Sequence, residues 1–169
     1  MVDQLSGMVH EILETSRLNT TDEPAKPIDI AELMAELCAP YQMIAAAHQI
    51  IFSLDLPEQF PATLPASRFS KAVSNVLANA VAYTEAGKSV SIYMDENRLI
   101  IENECDPIPD CEVRRLFEPF YRPDFSRSRE SGGNGLGLYI VDTLLTSMNI
   151  PYSFAPMKSP PGMCFTIQL

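Results

Sequence analysis

Two asparagines one helical turn apart, Asn75 and Asn79, stand in the segment RFSKAVSNVLANAVAYT. Phe69, Ala72, Val73, Val76, Leu77 and Ala80 recur there at helical spacing and make one wide apolar arc. Both asparagines border that arc, and Tyr83 follows one turn further on. Asparagine is a mediocre helix former, so a pair of them beside a core asks for a reason. One reason is a metal: amide carbonyl oxygens can ligate Mg²⁺ while the ion bridges nucleotide phosphates. A solvated polar border accounts for the pair equally well when it is taken alone.

Two further segments carry comparable signals. In SGGNGLGLYIV, Gly132, Gly133, Gly135 and Gly137 crowd directly before an apolar helical run. Glycines let backbone amides approach phosphates, and a helix N-terminus adds a favourable partial charge; a plain loop is the alternative. The spacing does not fit GxxxxGK[ST], and no strand immediately precedes it as a dinucleotide fingerprint requires. Between these two lies LFEPFYRPDFSRSR, where Phe117, Phe120, Tyr121 and Phe125 share a connection with Arg122, Arg127 and Arg129. Aromatics in a connection pack it back onto a core. Three arginines in an acidic chain suit either an anionic ligand or a surface ion-pair cluster.

The elements that must position these residues follow from periodicity. Residues 3–19 read as an amphipathic helix with Leu5, Met8, Val9, Ile12 and Leu13 as its apolar stripe. TTDEPAKP reads as a linker, and the domain boundary is placed there. Ile28–Ile30 predicts a short strand, and AELMAELCAPYQMIAAAHQ a helix kinked at Pro40. Ile50–Leu56 has strand composition, and Ser67–Tyr83 is the asparagine-bearing helix. Lys88–Asp95 and Arg98–Asn103 flank a Glu96-Asn97 turn and predict a hairpin. A short helical piece falls around Cys111–Leu116, a third long helix runs from Gly135 to about Ser147, and Pro151–Pro156 and Met163–Leu169 close the chain as strands. Strands and helices do not alternate simply, so the expected class is α+β, one mixed sheet with helices on one face.

With 169 residues, the chain can bury a substantial core without disulfides or metal. A net charge of −10 argues against sequence-independent nucleic-acid binding, which needs a basic footprint, but not against a local phosphate site. The four cysteines form no CxxC pair, and the two histidines stand far from them, so neither a zinc site nor a disulfide framework is expected. A reducing cytoplasm is the default compartment. Nothing in the sequence spans a membrane or reads as a signal peptide. Met1 directly before a mid-helix pattern suggests a piece cut from a longer protein.

The order of the motifs is more specific than any one of them. Asn75-x-x-x-Asn79-Ala on a helix is followed by a strand leading into Asn103-x-x-Asp106-Pro-Ile108-Pro. Leu-Phe-Glu-Pro-Phe-Tyr-Arg122 comes next, then Gly133-x-Gly135-Leu136-Gly137-Leu. This series resembles the N, G1, F and G2 boxes of sensor histidine kinases, members of the ATPase superfamily that includes gyrase B, Hsp90 and MutL. The resemblance covers about residues 28–169, and ETSRLN before it resembles the end of the second dimerisation helix. It implies a Bergerat-type two-layer α/β sandwich over 28–169, a linker at 21–27, and a helical stub at 1–20.

By the same resemblance, Asn75 and Asn79 hold Mg²⁺ and phosphate, and Tyr83 packs at the nucleotide. Arg122 contacts the γ-phosphate, with Arg127 as a second lid arginine. Gly133, Gly135 and Gly137 cradle phosphates through the backbone, Leu136 between the last two counts with them as a cofactor contact, and the side chains of Leu136 and Leu138 face the core. The family's adenine-binding aspartate position holds Asn103, whose amide oxygen can still accept that hydrogen bond; Asp106 is a rival, and Ile108 lies in the same box. Cys105 and Pro107 replace the G1 glycines, and Ala82 stands where many members carry a lysine. Asn75, Asn79 and Arg122 are the expected catalytic set. The implied activity is transfer of the ATP γ-phosphate to a histidine on a dimerisation helix and thence to a response regulator. The implied whole is a homodimeric, membrane-anchored sensor whose catalytic domain is cytoplasmic. His10 is not expected to be the acceptor, because ILETSRLN follows it rather than an acceptor-box sequence. The alternatives are another ATPase or serine kinase of the superfamily, or a non-catalytic nucleotide-sensing module.

Overall fold

The computed structural model describes residues 2–123 and 135–169. In chain order it contains α1 (Val2–Thr20), β1 (Lys26–Asp29), α2 (Ile30–Ala47), β2 (Ile51–Asp55), β3 (Pro61–Leu64) and α3 (Ala66–Ala82). Then come β4 (Ser89–Asp95), β5 (Arg98–Glu104), α4 (Asp110–Val113) running into a 3₁₀ turn at Arg114–Phe117, α5 (Gly137–Ser147), β6 (Tyr152–Lys158) and β7 (Pro161–Gln168).

Five strands form one mixed sheet in the order β2-β4-β5-β7-β6, with β2 and β4 parallel and the other neighbours antiparallel. Side chains alternate between its faces. Val90 and Ile92 of β4, Leu99 and Ile101 of β5, and Phe165 and Ile167 of β7 point into the core. The intervening positions carry polar pairs, among them Ser53 with Ser91 at 3.0 Å and Tyr93 with Glu102 at 2.9 Å. One face is thus packed and the other wet, as antiparallel pairing permits. On the packed face, Phe69, Ala72, Val73, Val76, Leu77 and Ala80 of α3 meet Leu138, Ile140, Val141, Leu144 and Leu145 of α5. The apolar arc read from the sequence is the arc that is buried.

Two local expectations are corrected. The first strand begins at Lys26 and stops at Asp29 instead of covering Ile28–Ile30, because Asp29 serves as the N-cap of α2. Its carboxylate accepts from the amides of Ala31 and Phe60, both at 2.9 Å. Losing such a cap costs about 1 kcal/mol. The sequence reading also missed β3, which pairs antiparallel with β1 in a separate two-stranded sheet. Pro27 and Pro61 are tolerated there because the pair has only edges. Helix α2 passes through Pro40 to Ala47.

The linker does not leave α1 apart from the rest. Glu14 meets Lys71 of α3 at 3.0 Å, and Arg68 donates Nε to the Leu18 carbonyl at 2.8 Å and a second guanidinium nitrogen to Thr21. Glu23 accepts the Ser67 amide at 2.9 Å at the start of α3. Burial pushes the Glu23 carboxyl up, but the hydrogen bonds from Ser67 and Arg68 outweigh it and hold the group below the ordinary glutamate value. Leu5, Val9, Ile12 and Leu13 remain exposed on the far side of α1, while Met8 and Leu18 touch the core. No helix among the described residues is long and apolar enough to cross a membrane.

Candidate functional site

A cleft of about 390 Å³ opens beside the C-terminal half of α3, the end of β5 and the N-terminus of α5. That is room for a small organic ligand. Its wall is set by strand parity. Leu99, Ile101 and Asn103 share the helix-facing side of β5, so Asn103 continues a buried row just where the strand runs out under α3. Asn103 is 7% exposed, and its Nδ2 donates to Thr84 Oγ1 at 3.4 Å. The loop after β5 folds back over β7, where the Ile108 amide meets Met163 Sδ at 3.3 Å, and both residues line the cleft. Tyr83 caps α3, its amide bonded to the Asn79 carbonyl at 3.1 Å, and also lines the cleft.

Asn75 and Asn79 both stand in this wall. Among the described residues the Nδ2 of Asn75 is buried without a hydrogen-bond partner. An unmet buried donor costs about 1–3 kcal/mol. Among the described residues no group of three or more His, Cys, Asp or Glu side chains could hold a metal. The groups in this wall that could contribute to a divalent ion shared with a ligand's phosphates are the amide oxygens of Asn75 and Asn79 and the carboxylates of Glu11 and Glu85.

The start of α5 supplies the other polar wall. Among the described residues its first turn has no side-chain cap, and the amides that begin a helix suit an anion. Gly137 and Leu138 line the cleft, and a Cβ built on Gly137 would meet nothing within 4 Å among the described residues. Gly135 has a different task. It sits at φ +76, and a Cβ there would lie 2.8 Å from the Phe120 carbonyl carbon. The Phe120 amide bonds the Gly135 carbonyl at 3.0 Å, which joins the aromatic segment to the glycine segment. Phe117 packs its ring at 5.6 Å from Tyr152 and 6.2 Å from Phe154, whereas Phe120 is exposed. Arg115 lies over the Tyr121 ring at 4.3 Å.

Of the residues selected from the sequence, Asn75, Asn79, Tyr83, Asn103, Asp106, Ile108, Arg122, Gly135 and Gly137 come together around this one cleft. Leu136 is a core residue at 1% exposure rather than part of the wall, and Leu138 is buried beside it. Arg127 and Gly133 lie outside the described residues. Ala82, at the position where the resemblance expects a lysine, lines the cleft and brings no charge to it. The sequence reading missed Glu11, Glu85, Lys88 and Met163, all in the wall. Lys88 brings a cation that no motif announced, and Glu11 reaches the cleft from α1 while the adjacent His10 is exposed. Close by, Glu104 accepts from the Ser89 hydroxyl and amide, both at 2.7 Å. Those two bonds hold its carboxyl below the ordinary value.

Comparison with known proteins identifies the family. The family model of histidine kinase-, DNA gyrase B- and HSP90-like ATPases matches residues 65–169. Sensor protein VanSB of Enterococcus faecalis is 35% identical over 175 residues, covering 100% of this chain and 39% of its own length. Sensor histidine protein kinase HK06 of Streptococcus pneumoniae is 29% identical over 168 residues, covering 99% of this chain and 37% of its own. The chain therefore spans less than two fifths of either relative. Among solved structures, the mycobacterial sensor histidine kinase MprB superposes with a TM-score of 0.74 at 26% identity, over 85% of this chain and 97% of that one.

Proposed function

The chain belongs to the family of histidine kinase-, DNA gyrase B- and HSP90-like ATPases, and on that premise we propose that it is the ATP-binding catalytic unit of a two-component sensor histidine kinase. The observation that carries this reading is the cleft itself. It gathers Asn75 and Asn79, the start of α5 at Gly137, the guanidinium of Arg122 and the buried amide of Asn103 around one nucleotide-sized space.

In this reading Asn103 accepts from the adenine amino group and Tyr83 packs against the nucleotide. The amides at the start of α5 and Arg122 hold the phosphate charge. Magnesium, when bound, neutralises phosphate oxygens, and Asn75 and Asn79 would hold it through their amide oxygens. A nitrogen of an acceptor histidine on a preceding dimerisation helix then attacks the γ-phosphorus in line. The nitrogen–phosphorus bond forms as the bond to the bridging oxygen breaks, ADP leaves, and the histidine proton passes to a neighbouring carboxylate. Positioning and electrostatics supply most of such catalysis. The phosphohistidine passes its phosphoryl group to a response regulator. Residues 1–20 serve as the end of the second dimerisation helix, whose exposed Leu5, Val9, Ile12 and Leu13 face the rest of a dimeric helical bundle.

Incubation with γ-labelled ATP tests the assignment. The 169-residue chain should remain unlabelled, and a version extended upstream through the acceptor helix should gain acid-labile phosphate. Acid-labile label on the chain itself that disappears in His10→Ala would overturn both the boundary and the role given to α1. An extended version that binds ATP but never becomes labelled would favour the non-catalytic sensing module.

A further inference from the structure

On the reading above, the buried residue that meets the base is Asn103, with Asp106 further along the same wall, and an amide is ambiguous in a way that a carboxylate is not. A carboxylate accepts from both oxygens. An asparagine turned one way offers an acceptor and turned the other way a donor. Which end Asn103 offers the cleft therefore decides which base it selects, and that choice is made by the residue behind it.

Thr84 stands just past the end of α3, 6% exposed. Its own amide goes to the Val81 carbonyl at 3.4 Å, so the carbonyl of Ala80 takes its bond from the Thr84 hydroxyl at 2.7 Å. That hydroxyl has one proton, and Ala80 receives it. Toward Asn103, Oγ1 can then only accept, and it accepts from Nδ2 at 3.4 Å. If the amide were reversed, two acceptors would face each other between two buried residues. Relieving that clash by rotating the hydroxyl would orphan the Ala80 carbonyl at the helix end. With Nδ2 held by Thr84, Oδ1 is the end of the amide left for the cleft.

We propose that Thr84 sets the base specificity of the cleft: it fixes Asn103 as an acceptor, selecting a purine with an exocyclic amino group at position six over one with a carbonyl there. Thr84 acts as a positioning residue through Asn103. The inference rests on the nucleotide-binding role assigned above, and it adds the device by which a neutral residue retains the selectivity of an acid.

The test compares ATP with ITP, which differ at position six of the base, in calorimetric titrations of the 169-residue chain with Mg²⁺ present. The wild-type chain should bind ATP more tightly than ITP. Thr84→Val, nearly the same shape without the hydroxyl, should lower that ratio by about tenfold, the worth of one buried hydrogen bond of correct sense. Thr84→Ser should retain the wild-type ratio. Thr84→Ala provides a second variant without the hydroxyl should the valine prevent folding, with the same loss expected. A valine or alanine variant that folds and keeps the wild-type ratio overturns the inference and leaves ATP binding standing, as does a serine variant that loses the ratio. A wild-type chain that binds neither nucleotide overturns the nucleotide reading itself.

Discussion

Gly162 sets the distance between the two strands that carry Asn103 and Met163, and replacing it with alanine should separate them. It lies opposite Glu104 in the β5–β7 ladder, beside the Asn103↔Met163 pair. An added Cβ would sit 2.1 Å from the Asn103 carbonyl oxygen and 3.0 Å from its carbonyl carbon, with the Met157 terminal methyl at 2.9 Å. The methionine tip can swing away, but the Asn103 backbone cannot, because β5 is the middle strand of five. Forcing extra carbon into packed structure costs about 1–3 kcal/mol, and a clash with central backbone belongs at the upper end. For a chain of this size each kcal/mol lowers Tm by about 2–4 °C, so Gly162→Ala should melt roughly 6–12 °C below wild type. Nucleotide affinity should fall as well, since the displaced segment carries Asn103 and Met163. Thermal unfolding followed by circular dichroism measures the first effect and calorimetry the second. A midpoint within about 1 °C of wild type would refute the close approach from which both effects are reasoned.

Gly137→Ala should behave in the opposite way. Its Cβ meets nothing within 4 Å, and alanine favours the helix by up to about 1 kcal/mol, so Tm should hold or rise while nucleotide affinity drops about tenfold as the methyl fills the space before the α5 amides; equal affinity would move the phosphates elsewhere. The stability of the chain should also depend on pH through Glu104. Its folded-state carboxyl lies below the ordinary value of 4.5 because of the Ser89 hydrogen bonds, so its contribution is complete above that value and is lost as pH falls through the folded one. Urea unfolding midpoints taken from neutral to acid pH should fall over that window, and less steeply in Ser89→Ala; identical slopes would remove Ser89 as the cause.

The helices were legible because their apolar residues recur at helical spacing: the α3 arc from Phe69 to Ala80 and the α5 run from Leu138 to Leu145 are both buried as read. The β4–β5 hairpin was legible from its turn, and Glu96 does adopt a positive φ. Strand β3 was not legible, because PATL is four residues between prolines and becomes a strand only by pairing with β1. Nor could spacing reveal that Asp29 ends one element and begins the next. In the cleft, Asn75, Asn79 and Gly137 were marked by motif order, whereas Glu11 and Lys88 arrive from distant segments by tertiary packing. Thr84 carried no signal at all, since its effect exists only in the geometry of two hydrogen bonds. The stripe on α1 was legible as a stripe, but periodicity does not say what covers it, and most of it lies exposed.

Calorimetric titration of Mg·ATP into the 169-residue chain, alongside Asn79→Ala and with a parallel magnesium-free titration, bears most directly on the central claim. Asn79 is half-buried on the cleft side of α3, outside the apolar arc, so the alanine variant should fold with an unchanged Tm. The account predicts saturable binding by wild type that weakens without magnesium and is largely lost in Asn79→Ala. Unchanged Mg·ATP affinity in a folded Asn79→Ala would contradict the metal and phosphate role of the α3 asparagines, and no binding by wild type would contradict the assignment of the cleft to ATP.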